Sequence, residues 1–246
     1  MDNLTKTNKL LLDGLKLANE DKTNEALKNI QCLFQKNDLN EKDYELIAAI
    51  LMMSGDFDQA AFMFSKAANY TSMAFLNIIK GDINKAKEFL NKSPGSSLFY
   101  WCRFLIDLFT DKLFLRRSPS LLQIRHYLEI TIYYLLIANN KLFIDILKSE
   151  TKNLIKLNID TEKFIGYAYF HFGDLDTAVK YLNQAIQRNQ YDGETYYVLA
   201  NVYVKKKEYY LAAAMLENAG LLLPEHNPTK LLKEKVAKKL KTMSLT

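Results

Sequence analysis

Glycine and proline are scarce in this chain, with 8 and 4 among 246 residues. So few chain-breakers exclude a protein built of many short strands and turns, and the long stretches free of both favour helix throughout. Cysteine is scarcer still. Cys32 and Cys102 lie far apart in apolar helical surroundings, which excludes a disulfide framework and reads as two buried free thiols in a reducing, cytoplasmic setting. Histidine occurs only as His126, His171 and His226, none at a zinc-ligand spacing from either cysteine, so no metal is expected. Neither a Gly-rich phosphate loop, nor a Walker lysine, nor a nucleophile elbow is present. The carboxylates are scattered over polar helix faces. These absences predict a protein that is not an enzyme and needs no cofactor.

Long hydrophobic runs are missing too. The stretch Leu98–Phe109 is interrupted by Arg103 and Asp107, and Tyr127–Ala138 carries Glu129. Both fall short of the roughly 20 apolar residues that span a bilayer, so no membrane insertion is expected. The opening Met-Asp-Asn-Leu-Thr-Lys is polar and contains an acid, unlike a secretory leader.

What the chain does contain is ordinary globular composition, 49% hydrophobic and 25% charged, with a net charge of +5. The charge is unevenly placed. Residues 227–246 hold six lysines and one acid, Glu234, a net +5 that accounts for the whole chain, so residues 1–226 are neutral. The body is therefore no basic platform for nucleic acid, and any polyanion attraction belongs to the tail.

One phrase recurs: Gly55-Asp56-Phe57-Asp58-Gln59-Ala60, Gly81-Asp82-Ile83-Asn84-Lys85-Ala86 and Gly173-Asp174-Leu175-Asp176-Thr177-Ala178. Glycine tolerates the left-handed backbone that ends a helix, and the Asp after it accepts from the free N–H groups that start the next. Each phrase therefore predicts a helical hairpin, and its repetition predicts a stack of them. Taking the closing Ala as position 20 of a 34-residue unit aligns Ile159–Asp192 with Gly193–His226. Ile165 then matches Leu199, Gly166 matches Ala200, Tyr169 matches Tyr203, Ala178 matches Ala212, Leu182 matches Leu216 and Ala185 matches Ala219.

This pattern resembles the tetratricopeptide repeat family, which places a bulky residue at position 4, Leu at 7, Gly or Ala at 8, Tyr at 11, Ala at 20 and 27, an aromatic or Leu at 24 and Pro at 32. Gly193–His226 satisfies every position with Tyr196, Leu199, Ala200, Tyr203, Ala212, Leu216, Ala219 and Pro224. Ile159–Asp192 departs only at Glu162 and Gln190. Glu41–Ala74 also matches well, and Thr7–Asn40 matches less well because Asp13 stands where Leu is expected. The Gly81 hairpin follows the Gly55 one by only 26 residues, which predicts a short first helix over about 70–80.

The resemblance implies an all-α fold: a right-handed superhelical solenoid of antiparallel helix pairs, irregular in the middle, with a C-terminal capping helix. Its expected divisions are hairpins over residues 1–93, degenerate hairpins over 94–158, two well-matched repeats over 159–226, and a basic cap and tail over 227–246. In the middle, helices are expected at Ser97–Phe109, Leu121–Ala138 and Lys141–Leu157, the last two joined through Asn139-Asn140. A final helix over about 229–241 carries Leu232, Val236 and Leu240 every fourth residue, a narrow apolar stripe suited to covering the end of the stack.

The family lines its groove with positions 2, 5, 9, 12 and 13. Carried onto Ile159–Asp192 these are Asp160, Lys163, Tyr167, Phe170 and His171; onto Gly193–His226 they are Glu194, Tyr197, Asn201, Val204 and Lys205. Lys163, Tyr167, Phe170, His171, Tyr197, Asn201 and Lys205 form the expected peptide-binding set, with aromatic rings for a partner's apolar anchors, an amide for its backbone and cations for its carboxylates. The N-terminal counterparts, Leu11, Leu15 and Ala18 with Ala49, Met52 and Met53, are blander. The carboxylate clamp of some family members is missing, since Leu11, Leu15, Glu45 and Ala49 occupy clamp-type positions.

The implied function is a scaffold that holds a peptide or helix of a partner protein. Two alternatives stand beside it. One is RNA or ribosome association through Arg116, Arg117, Lys235, Lys238 and Lys239. The other is a subunit that assembles with copies of itself.

Overall fold

Each Gly-Asp phrase forms the turn its chemistry dictates. Gly55, Gly81 and Gly173 have φ of +82°, +88° and +80°, and Asp56, Asp82 and Asp174 accept from Gln59 N, Lys85 N and Thr177 N at 3.1 Å. The Asp backbone N–H reaches back to a carbonyl in the last turn of the preceding helix: Asp56 to Leu51, Asp82 to Asn77, Asp174 to Tyr169. Three more turns share this closure without glycine. Asn69, Asn140 and Glu208 donate to Phe64 O, Leu135 O and Tyr203 O, and the residues before them, Ala68, Asn139 and Lys207, take φ of +50°, +53° and +63°.

The computed structural model describes residues 2–20, 22–34, 36, 39–110, 120–149 and 159–243. Among these, all regular structure is helical. The α-helices are α1 (Asp2–Asn19), α2 (Thr23–Ile30), α3 (Glu41–Met53), α4 (Phe57–Lys66), α5 (Tyr70–Lys80), α6 (Ile83–Leu90), α7 (Ser97–Phe109), α8 (Leu121–Ile137), α9 (Lys141–Ser149), α10 (Thr161–His171), α11 (Leu175–Arg188), α12 (Gly193–Lys205), α13 (Tyr209–Leu222) and α14 (Asn227–Met243). None is long and apolar enough to cross a membrane. The chain divides into two compact units, residues 1–143 and 144–246.

In the first unit the hairpins are α1–α2, α3–α4 and α5–α6, with α7 packed on α5 and α6. The aligned small and apolar positions form the core: Ala26, Ile30 and Leu33; Ile47, Ala48, Leu51, Ala60, Phe64 and Ala67; and Ala86 are all buried. Asp13 does not prevent the first hairpin, because it points to solvent while Leu11 is fully buried. Two expectations need correction. Leu11, Ala18 and Met52 belong to the core, so half of the expected N-terminal groove face is unavailable. Cys32 is exposed, because α2 tightens into a 3₁₀ turn at Gln31–Leu33 that brings Leu33 inward and leaves the thiol outside.

Helix α7 carries Trp101 and Cys102, both completely buried, and burial pushes the Cys102 thiol well above its usual range. Helix α8 packs on α3, α5 and α7. Ile124, Leu128, Thr131, Ile132 and Leu135 form its buried face, and the Trp101 indole N–H donates to Thr131 Oγ1 at 2.9 Å. The expected second half of α9 falls outside the described residues, as do Arg116 and Arg117.

In the second unit α10 pairs with α11 and α12 with α13, while α12 also packs on α11 and α14 closes on α13. Position 8 of the first repeat has room only for glycine: a Cβ on Gly166 would lie 2.7 Å from Leu182 Cγ. The terminal helix starts at Asn227, two residues before the expected 229. Pro228 sits comfortably there because a first-turn residue needs no N–H donor. Of the expected stripe Val236 is fully covered while Leu232 and Leu240 are half-buried, and Lys233 pairs with Glu217 of α13 at 2.7 Å.

Candidate functional site

The expected binding residues lie on α10 and α12, the first helices of the two C-terminal hairpins, which touch each other. At one end, Lys163 Nζ lies 2.9 Å from both Asp192 Oδ2 and Glu194 Oε2. The carboxylate of Asp192 also caps α12, accepting from Glu194 N at 3.1 Å and from the Thr195 hydroxyl at 2.8 Å. Burial alone disfavours both charges. For Lys163 it is outweighed by the Tyr167 phenol and the two carboxylates, which raise the ammonium pKa above its ordinary value. For Asp192 it is outweighed by bonds from Lys163 and Thr195, which lower the carboxyl pKa.

Tyr167 stands one turn along α10, its ring centroid 5.8 Å from the Lys163 ammonium. Its hydroxyl is enclosed beside Thr195 but makes no hydrogen bond of good geometry among the described residues, since the Thr195 hydroxyl is turned to Asp192. Burial raises the Tyr167 pKa. At the other end of the two helices Lys205 Nζ sits 4.4 Å over the Phe170 ring, a cation–π contact that ties α12 to α10. His171 is exposed and meets the edge of Phe172, its neighbour in sequence, at 5.5 Å.

Tyr197 faces the start of α14, its ring edge-on to His226 at 4.9 Å, and His226 Nδ1 is 2.7 Å from Thr229 Oγ1. Asn201 spends one amide hydrogen on the Tyr197 carbonyl at 2.9 Å. The structure thus brings together Lys163 with Tyr167, Phe170 with Lys205, and Tyr197 with Asn201. His171 is left apart. Tyr167, Phe170, Tyr197 and Asn201 are all half-buried, so each retains surface for a ligand.

The lysines of the basic set, Lys235, Lys238 and Lys239, share the exposed side of α14, where with Leu231, Glu234 and Thr242 they line a shallow groove. Among the described residues no group of three or more His, Cys, Asp or Glu is arranged to hold a metal ion.

Several supporting residues escaped sequence reading. Glu162, at the position where a bulky residue is expected, is 4% exposed and pairs with Arg188 Nε of α11. The charge is buried but satisfied, which lets a polar residue stand at a core position. Two acids in the first turns of their helices have opposite fates: Glu162, at position 4 of its repeat, faces inward, whereas Glu194, at position 2 of the next, is exposed. Tyr169, expected only as core, donates its hydroxyl to the Asp145 carboxylate, and Lys148 Nζ sits 4.5 Å over its ring. Both partners come from α9, whose sequence carries no repeat signal.

A family profile described as the tetratricopeptide repeat matches residues 164–192, the core of the first C-terminal hairpin. No curated protein matches the chain. Among solved structures it is similar to the Cut9–Hcn1 hetero-tetramer of the APC/C, at 18% identity over 94% of this chain and 42% of that one, with a TM-score of 0.42. It therefore spans less than half of that protein's length. It is also similar to the TPR2AB-domain:pHSP90 complex of yeast Sti1, at 16% identity over 95% of this chain and 99% of that one, with a TM-score of 0.40. A third, YrrB, titled a TPR protein with an unusual peptide-binding site, has 15% identity over 86% and 97% of the two chains and a TM-score of 0.39. The profile selects a stretch whose aligned positions Ile165, Gly166, Tyr169, Ala178, Leu182 and Ala185 are all buried, so that in residues 164–192 the sequence match to a tetratricopeptide repeat and the packing of a helical hairpin coincide.

Proposed function

We propose that this protein is a non-catalytic interaction scaffold whose second unit binds a peptide segment of a partner protein across α10 and α12. The observation that carries the reading is the row of half-buried aromatic and amide side chains, Tyr167, Phe170, Tyr197 and Asn201, between the two cations Lys163 and Lys205. A partner's apolar side chains would cover the rings, which are already ordered and so lose little entropy on binding. Asn201 has a carbonyl oxygen and a second amide hydrogen left for an extended backbone. Lys205, exposed above Phe170, is the cation that meets an acidic group of the partner. Lys163 is committed to Asp192 and Glu194 and acts by holding Tyr167 and the start of α12 in register. His171, exposed at the end of α10, contributes at the rim.

The test is affinity purification with the wild type and the Tyr197→Ala/Asn201→Ala double variant. The double variant is expected to keep its helical circular dichroism and to lose its partners, roughly tenfold or more in affinity, as expected for truncating an aromatic anchor together with a hydrogen-bonding amide. Undiminished capture by a folded double variant removes the assignment of this face.

A further inference from the structure

Helix α5 differs from the other first helices of hairpins: Thr71 and the six consecutive residues Ala74, Phe75, Leu76, Asn77, Ile78 and Ile79 are all buried, so over 74–79 it has no solvent side. One side is covered by its own hairpin partner α6 and the preceding α4, and α8 packs on it from elsewhere. The covering is specific. Tyr134 meets Phe75 edge-on at 6.2 Å, and the Asn140 amide just past α8 donates to Ile79 O at 2.9 Å. The end of α8 reaches the turn of the preceding hairpin, where a Cβ on Gly55 would lie 3.1 Å from Ile137 Cγ2. Counting from Ala86 as position 20, Phe75, Ile78 and Ile79 are positions 9, 12 and 13, the positions that in α10 and α12 stand half-exposed or exposed.

We infer that α8 is a ligand bound in cis, and that the face of α3, α5 and α7 beneath it is an interaction surface that reads a helix. The required ligand chemistry is written in α8 itself. Ile124, Leu128, Ile132 and Leu135 recur at helical spacing and are buried to within 3%. Between them Thr131 presents a hydroxyl oxygen to the Trp101 N–H, and the buried indole ring packs against Phe104 of α7 and Tyr127 of α8 itself. A buried indole N–H demands an acceptor, so this face selects an apolar helix carrying one hydroxyl at that place and disfavours an all-aliphatic one. The surface is independent of the α10–α12 face and lies wholly within the first unit. Because α8 is on the same chain, it occupies its place at a high effective concentration and excludes competitors in trans.

The chain's one tryptophan sits under α8 and reports its departure. In the full chain, Leu128→Ala/Leu135→Ala weakens α8 while leaving α3, α5 and α7 intact. The probe is a blocked peptide of residues 120–138. Wild-type emission should be that of a buried indole and ignore the peptide. The double variant should show red-shifted emission that the peptide restores, with an affinity at least ~100-fold tighter than for the wild type, given the cost of two buried Leu→Ala truncations. A peptide carrying Thr131→Val should bind about tenfold more weakly than the parent peptide. A folded variant whose emission stays blue, or turns red and is not restored, overturns the inference. Hydrogen exchange of the wild type decides the matter independently of folding in the variant. Amides of α8 opening ahead of those of α3–α6 support it, and α8 exchanging only with them overturns it.

Discussion

Helices α5 and α10 occupy the same place in their hairpins and are followed by the same short Gly-Asp turn, yet their outward faces have opposite fates. On α5, Phe75, Ile78 and Ile79 are at most 5% exposed under α8. On α10, Tyr167 and Phe170 are half-buried and His171 is exposed. The residues match their surroundings: all three are wholly apolar where another helix covers them, while two of the three, Tyr167 and His171, carry polar groups on the more open face. A repeat face therefore declares whether it is covered through the polarity of positions 9, 12 and 13, and the hairpin core beneath is indifferent to the outcome.

The largest effect that would break this contrast is expected at Trp101. Trp101→Ala removes a fully buried ring that seats α8 and leaves Thr131 unpaired, and should cost the first unit about 3–5 kcal/mol in chemical denaturation. An effect below about 1 kcal/mol would mean that α8 rests on the unit without being integral to its packing.

Electrostatics sharpen the other side of the comparison. The lowered carboxyl pKa of Asp192 means that its contribution is present above the ordinary aspartate range near pH 4 and is lost as the pH falls through the folded-state value. Asp192→Asn should therefore lower the stability of the second unit by about 1 kcal/mol at pH 7, with the difference from wild type shrinking as the pH falls below the ordinary aspartate range and through the lowered folded-state value. A difference independent of pH, followed by thermal melts across that range, would assign the loss to the helix cap alone.

The smallest effects concern the turns that both units share. Gly173→Ala places a Cβ in open space at a φ of +80°, so its cost, about 1–2 kcal/mol, is purely conformational. Lys207 already bears that strain at +63°, and Lys207→Gly should recover up to ~1 kcal/mol. Paired melts of the two variants check both signs.

Much of this was legible in the residues. The end of α5 follows from the Gly81-Asp82 phrase, and the starts of α5 and α7 from Asn69 and Ser96 as N-caps, all local chemistry. The core positions of the repeats follow from the 34-residue register. The left-handed turn at Asn139-Asn140 was expected from its two asparagines, whereas those at Ala68 and Lys207 were less visible, since the left-handed residue there is imposed by closure of the hairpin. Cys32 was misread because a helical period was carried one turn too far, through a segment that tightens to 3₁₀. For the candidate site, the seven expected residues could be placed on two helices, but the commitment of Lys163 to Asp192 and Glu194, and the burial of Glu162 against Arg188, depend on distances between separate hairpins.

Sequence alone determined that this chain is a set of helical hairpins, because caps, turns and apolar spacing act over a few residues and are written where they act. Tertiary structure decided which faces of those hairpins are closed. That choice rests on contacts such as Trp101 with Thr131 and Ile79 with Asn140, made between segments 30 and 61 residues apart, where no local signal reaches.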